Sequence, residues 1–247
     1  MKKILSFFLA ITMVLSLTAC GTAENQESGS SEASESSSTA PEQETTDSSS
    51  SEMEASGSGA SKTSEVQGSN VLVAYFSWAD NAILADDVDA VASPSVIPPG
   101  NVQQLAGWVQ EETGSDLFSI RVTDPYPSDW DDCLARANEE RGDNARPELV
   151  ENVENLDQYD TVFLGYPNWW GDMPMILYTF LDEYDFAGKT LAPFNTSGGS
   201  GFSGSLETIA QMEPDAKITD GLTLGSDEAE NCADAVSEWL GSIGLAG

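Results

Sequence analysis

The sequence predicts a doubly wound α/β fold, a five-stranded parallel sheet flanked by helices on both faces. Two observations predict it. From residue 71 to residue 243, short apolar runs alternate with stretches of helical period, five of each. The first run, Val71-Leu72-Val73-Ala74-Tyr75-Phe76, is apolar without interruption, as in a strand buried on both faces. Alternation implies parallel pairing through right-handed crossovers. The order 2-1-3-4-5 makes the first, third and fourth strands neighbours, and such sheets bind ligands beyond the carboxyl ends of their strands.

Each element has its own signal. After the first strand and Ser77-Trp78, residues 79–99 form a long irregular stretch with three prolines, a lid or partner-docking loop. Gly100-Asn101 then opens a helix whose stripe is Val102, Leu105, Ala106 and Val109. Residues 116–122 alternate as an edge strand, stopped by Pro125-Tyr126-Pro127. Ser128 or Asp129 caps a helix through Trp130, Cys133, Leu134 and Ala137. Residues 142–155 are polar and without period. Thr161 to Gly165 is the third strand, stopped by Pro167. Asp172 is the expected N-cap of the next helix, with Pro174 in its first turn and Ile176, Leu177, Phe180, Leu181 and Tyr184 on one face. Leu191 to Asn195 is the fourth strand, 206–212 a helix, 216–225 contains the fifth strand, and 228–243 is the last helix. Tyr75, Phe118 and Phe163 are assigned to the core, and Met173 and Met175 to packing.

Ahead of this domain, 70–247, stand two other segments. Lys2 and Lys3 precede an apolar run, Ile4 to Leu17, short for a membrane span and suited to a secretory signal. Its ending, Leu17-Thr18-Ala19-Cys20, resembles a bacterial lipobox, which implies cleavage before Cys20 and its lipidation. Residues 1–20 are thus read as a lipoprotein signal and the location as extracytoplasmic, with contact to the membrane through the lipid alone. Residues 21–69 are rich in Ser, Glu, Thr and Gly and poor in large apolar side chains, a disordered tether reaching about 40 Å.

Charge and composition exclude several functions. There are 42 acidic against 9 basic residues, a net charge of −33, and the domain keeps most of the excess. Such a field repels nucleic acid. With no histidine, neither Ser-His-Asp nor Cys-His catalysis is available. Cys133 and Cys232 have no CxxC spacing and fall on helices of opposite faces, so they are read as free thiols. Asp86, Asp87 and Asp89 lack EF-hand spacing and its terminal Glu, and no metal site is expected.

Three loops follow the three central strands. One offers Asn168-Trp169-Trp170-Gly171; another, Thr196-Ser197-Gly198-Gly199-Ser200-Gly201, offers small residues and backbone N–H groups; the first ends at a helix N-terminus, an anion site. Together they suit a flat ring with polar edges.

Tyr75-Phe76-Ser77, Gly165-Tyr166-Pro167-Asn168-Trp169-Trp170-Gly171 and Phe194 to Gly201 resemble flavodoxin-like proteins, over essentially Val71 to Leu245. The resemblance implies FMN. Ser77, with Trp78 beside it, and the N–H groups of Gly100, Asn101, Val102 and Gln103 would hold the phosphate. Trp169 or Trp170, after Pro167 and Asn168, would stack on the ring. Gly171 would let the backbone approach its edge, and Thr196, Ser197, Gly198, Gly199 and Gly201 would donate to its pyrimidine side. The acidic surroundings would lower the flavin potential. Val102 stands where the family's phosphate loop ends in Thr. The implied function is electron transfer, or reduction of a small acceptor such as a quinone, with a redox partner protein or that acceptor as partner. The rival is a non-enzymatic ligand- or partner-binding module on the same fold that has lost FMN, favoured by Val102 and the 79–99 insertion. A nicotinamide donor would have to share the flavin site, because no separate GxGxxG half-domain is present.

Overall fold

The structure, a computed structural model, describes residues 70–88 and 94–246. The expected signal, the lipidated Cys20, the tether, Asp89 and Gly247 lie outside the described residues.

The sheet is parallel throughout. Its strands are β1 (Val71–Tyr75), β3 (Asp116–Ser119), β5 (Thr161–Pro167), β6 (Thr190–Ser197), β7 (Lys217–Ile218) and β8 (Leu222–Gly225). Their order is β3-β1-β5-β6, with both β7 and β8 on the far side of β6. In terms of the five expected strands this is 2-1-3-4-5, the fifth being broken into two short pieces. The flavodoxin-like arrangement is therefore present.

Side chains alternate across the sheet because the strand period is two. Leu72, Ala74 and Phe76 with Val162, Leu164 and Tyr166 face one layer. Against them pack α2 (Trp130–Gly142), α3 (Met175–Glu183) and α4 (Ser205–Met212). Val73, Tyr75, Phe163, Ala192 and Phe194 face the other layer, α1 (Asn101–Thr113) and α5 (Ala233–Ile243). Cys133 and Cys232 are buried free thiols, one in each layer. Burial pushes the Cys133 thiol up to about 12 and Cys232 up to about 11, so neither is a ready nucleophile.

Local expectations were corrected in five places. Asp172 does not cap α3; Pro174 holds the N-cap position. Asp172 is engaged elsewhere, accepting from the Met173 N–H at 2.9 Å and the Tyr178 hydroxyl at 2.7 Å. Pro167 does not stop β5 but pairs with Thr196 as its last residue. The edge strand ends at Ser119, since Asn81 Oδ1 takes the Val122 N–H in place of a ladder partner. The last helix starts at Ala233, after a 3-10 turn at Ala229–Asn231. Phe118 is only half buried, as an edge strand allows. Asp129 is the cap of α2, accepting from Asp132 N–H at 3.0 Å, while Ser128 accepts from Ala85 N–H.

The flanks of the 79–99 stretch are built into the domain. Ala82–Ile83 forms β2, parallel to β4 (Tyr126–Pro127). Asn81 is buried and donates to the Ser77 and Ile120 carbonyls at 2.8 and 3.1 Å. Val96, in the 3-10 turn Pro94–Val96, is fully buried in the core. The described flanks are thus anchored to the domain by apolar and polar contacts.

Candidate functional site

The site begins where β1 ends. Phe76 N–H still bonds the Gly165 carbonyl at 2.9 Å, and the chain then leaves the sheet. Ser77 is almost wholly buried. It lies against Gly100, the N-cap of α1. A Cβ on Gly100 would overlap Ser77 Oγ and come within 2.9 Å of Ala79 Cβ and 3.0 Å of the Ser95 carbonyl oxygen. Only glycine allows this approach of loop to helix. The Gly100 N–H is taken by Gln103 Oε1 at 3.3 Å. The next three N–H groups, those of Asn101, Val102 and Gln103, have no partner within the helix. The Val102 side chain is turned into the core, so that position offers its backbone alone.

The second loop is a tight hairpin. Trp169 and Asp172 exchange N–H to carbonyl bonds of 2.8 and 3.0 Å. Between them, Trp170 has φ 60° and Gly171 φ 76°. Both values are left-handed, as a type I′ turn requires. Gly171 suits that turn; Trp170 is strained in it. The two indoles are thereby separated. Trp169 is held edge-on by Phe76 and Tyr126, each at 5.4 Å between ring centroids. Trp170 is 42% exposed.

The third loop leaves β6 at Ser197. Ser197 Oγ accepts from Gly199 and Gly201 N–H at 3.3 and 3.0 Å. Those two amides therefore face inward within the loop and are not free donors. The Gly201 carbonyl accepts from Asn168 Nδ2 and, at 3.1 Å, from Asn195 Nδ2, which ties the second and third loops together. Asn195 Oδ1 is buried without a partner among the described residues.

The three loops meet at a cleft of about 190 Å³. Ser77, Trp78, Asn101, Val102, Pro167, Asn168, Trp169, Thr196, Ser197 and Gly198 all line it, brought together from three strand ends. Gly100 lies behind Ser77, and Gln103 folds back on Gly100. Trp170, Gly171, Gly199 and Gly201 do not line the cleft: the first two form the hairpin turn, the last two the internal bonds to Ser197. Sequence reasoning missed three lining residues, Ser95, Trp130 and Ser226. Ser226 follows the fifth strand at the same edge, a signal the sequence did carry. Ser95 and Trp130 come from crossover segments, whose reach no periodicity reveals.

Among the described residues no titratable side chain lines this cleft. The described lining offers hydroxyls, amides and indole, groups that bind and orient.

A family model described as flavodoxin matches residues 70–243. The chain belongs to the flavodoxin family. Among solved structures, a flavoprotein from Bacteroides eggerthii DSM 20697 is 31% identical, covering 70% of this chain and 97% of its own, with a TM-score of 0.56. A flavoprotein from Bacteroides uniformis ATCC 8492 is 28% identical, covering 71% and 99%, with a TM-score of 0.55. A flavoprotein in complex with FMN from Lactobacillus acidophilus NCFM is 19% identical, covering 68% and 97%, with a TM-score of 0.49.

As a member of this FMN-binding family, the flavodoxin-like domain takes FMN as its cofactor. The residues present fit that group. A phosphate is matched by the Ser77 hydroxyl and the N–H groups that open α1 without a partner in the helix, at the positive end of its dipole. A flat ring is matched by the Trp169 face and by the small polar wall from Thr196 to Gly198.

Proposed function

We propose that this flavodoxin-family protein moves electrons at the outer face of the cell membrane, to a redox partner protein or to a small acceptor such as a quinone. FMN, when bound, supplies the one- and two-electron chemistry. In this reading Ser77 and the N–H groups of Asn101, Val102 and Gln103 hold the phosphate. The side chain lost at Val102 matters little, because the backbone donors do not depend on it. Trp169, fixed by Phe76 and Tyr126, orients the ring and covers it from water. Thr196, Ser197 and Gly198 bound its polar edge. Gly171, Gly199 and Gly201 act through loop shape and do not touch the cofactor. The observation that carries the proposal is the Ser77–Gly100 contact: a hydroxyl held beside three helix amides that have no partner within the helix, in a cleft lined among the described residues by no acid or base.

The location rests on the lipobox-like Leu17-Thr18-Ala19-Cys20 alone. The experiment is purification of the full chain with its flavin spectrum recorded, beside a Cys20→Ser variant. The proposal expects an oxidised flavin spectrum, or its appearance on adding FMN, and release of the Cys20→Ser variant from the membrane fraction. A chain that takes up no FMN favours the rival binding module. A variant that stays in the membrane fraction removes the lipid anchor from the account.

A further inference from the structure

Beside the FMN cleft is a second one of about 180 Å³, sharing Trp78, Trp130, Asn168 and Trp169 with it as a common wall. Trp170 lines it as well, with Cys133, Leu134 and Ala137 of α2. Four of the six tryptophans in the chain thus surround one small space. Core packing does not explain two of them. Trp130 is 47% exposed and Trp170 42% exposed, the latter in a left-handed conformation that a bulky side chain adopts at a cost.

We propose that this second cleft is the acceptor subsite and takes a planar aromatic or quinonoid ring of one or two fused rings that carries no negative charge. The proposal rests on the FMN reading above and deepens it. A volume of about 180 Å³ has room for one or two fused rings. Shape and chemistry select a flat ring, since indoles wall the cleft and aromatic stacking adds to burial. Charge selects against anions. Among the described residues no Lys or Arg lines either cleft, Asp129, Asp131 and Asp132 flank Trp130 at the start of α2, and the whole chain carries −33. The shared wall places the two ligands side by side. Cys133, also in the lining, presents a protonated thiol, because burial pushes it up to about 12, so an electrophilic ring meets no thiolate.

The test measures binding without turnover. The FMN-loaded, oxidised full chain is titrated calorimetrically with menadione, a neutral two-ring quinone, and with a naphthoquinone sulfonate, with no reductant present. Two variants line only the second cleft: Trp170→Asn removes the indole and keeps a residue that tolerates the turn, and Ala137→Leu fills part of the space. We expect saturable binding of menadione, weakened about five- to tenfold in either variant, and binding of the sulfonate at least about tenfold weaker. The affinity of each variant for FMN, and its melting in the absence of quinone, should stay within about twofold and a few degrees of the parent. Menadione binding that is undiminished in both variants overturns the subsite, as does a sulfonate that binds equally well. A chain that binds menadione with these dependences but no FMN keeps the subsite and removes the flavin reading; the converse result removes the subsite alone.

Discussion

Gly100→Ala isolates the contact on which the cofactor site depends. The backbone of Gly100 has φ −68° and ψ 161°, a region open to any residue, so alanine adds no torsional strain. The effect is steric. The new Cβ would overlap Ser77 Oγ, and Ala79 Cβ at 2.9 Å and the Ser95 carbonyl at 3.0 Å leave it nowhere to go. Overpacking of this kind costs about 1–3 kcal/mol of stability. The nearest relief is to push Ser77 aside, which takes its hydroxyl away from the phosphate position. A hydrogen bond to a charged group is worth about 1.5–3 kcal/mol, so the Kd for FMN should rise roughly 10- to 150-fold. Ser77→Ala should weaken FMN similarly and leave stability nearly unchanged. Gly107→Ala is the control within the same helix, since a Cβ there meets nothing within 4 Å. It should raise stability by about 0.5–1 kcal/mol and leave FMN affinity alone. FMN titration followed by flavin fluorescence, with thermal unfolding in parallel, reads both quantities. Wild-type FMN affinity in Gly100→Ala and Ser77→Ala together would refute the reasoning.

Three further predictions follow from contacts outside that cradle. Asn81→Ala leaves the Ser77 and Ile120 carbonyls and the Val122 N–H without their partner; a loss of about 3 kcal/mol and a Tm lower by roughly 6–12 °C are expected in calorimetry. Trp170→Asn should raise stability by about 1 kcal/mol by relieving the left-handed backbone at φ 60°, whereas Trp170→Ala should give no such gain in the same denaturation experiment. Glu213 has its carboxyl pushed up to about 7, first by burial and then by Asp185. Its folded state therefore binds the proton more tightly than the unfolded chain does, and stability falls as pH rises from about 4.5 to about 7. Glu213→Gln should remove that slope, gaining no more than about 1 kcal/mol at pH 8 because the group is partly in solvent; melting curves at pH 5 and pH 8 check it.

The fold was legible where burial writes itself into the sequence. Val71 to Phe76, Thr161 to Gly165 and Leu191 to Asn195 are continuous apolar runs because their strands are covered on both faces. The paired stripes of α1 and α5 were readable for the same reason. What failed was decided by partners distant in sequence. Asp172 has the composition of a cap, yet it is drawn to Tyr178 and the hairpin with Trp169. Asn81 and Val96 lie in the long irregular stretch, and nothing local says that one bridges to the segment just after β3 and the other enters the core.

The site was legible to the level of strand ends. Ser77, Trp169 and Thr196 could be named because they follow the three central strands. The donors could not be sorted, because the sequence does not tell that Ser197 Oγ takes the Gly199 and Gly201 amides for itself. Nor could it choose between two adjacent tryptophans. That choice is made by backbone φ at Trp170 and by the two aromatic edges against Trp169.

The cofactor reading is tested most directly by calorimetric titration of the flavin-free full chain with FMN and, separately, with riboflavin. If the Ser77 hydroxyl and the α1 amides hold the phosphate, FMN binds at one per chain and riboflavin at least about tenfold more weakly. Equal affinity for the two, or no saturable heat with either, would contradict it.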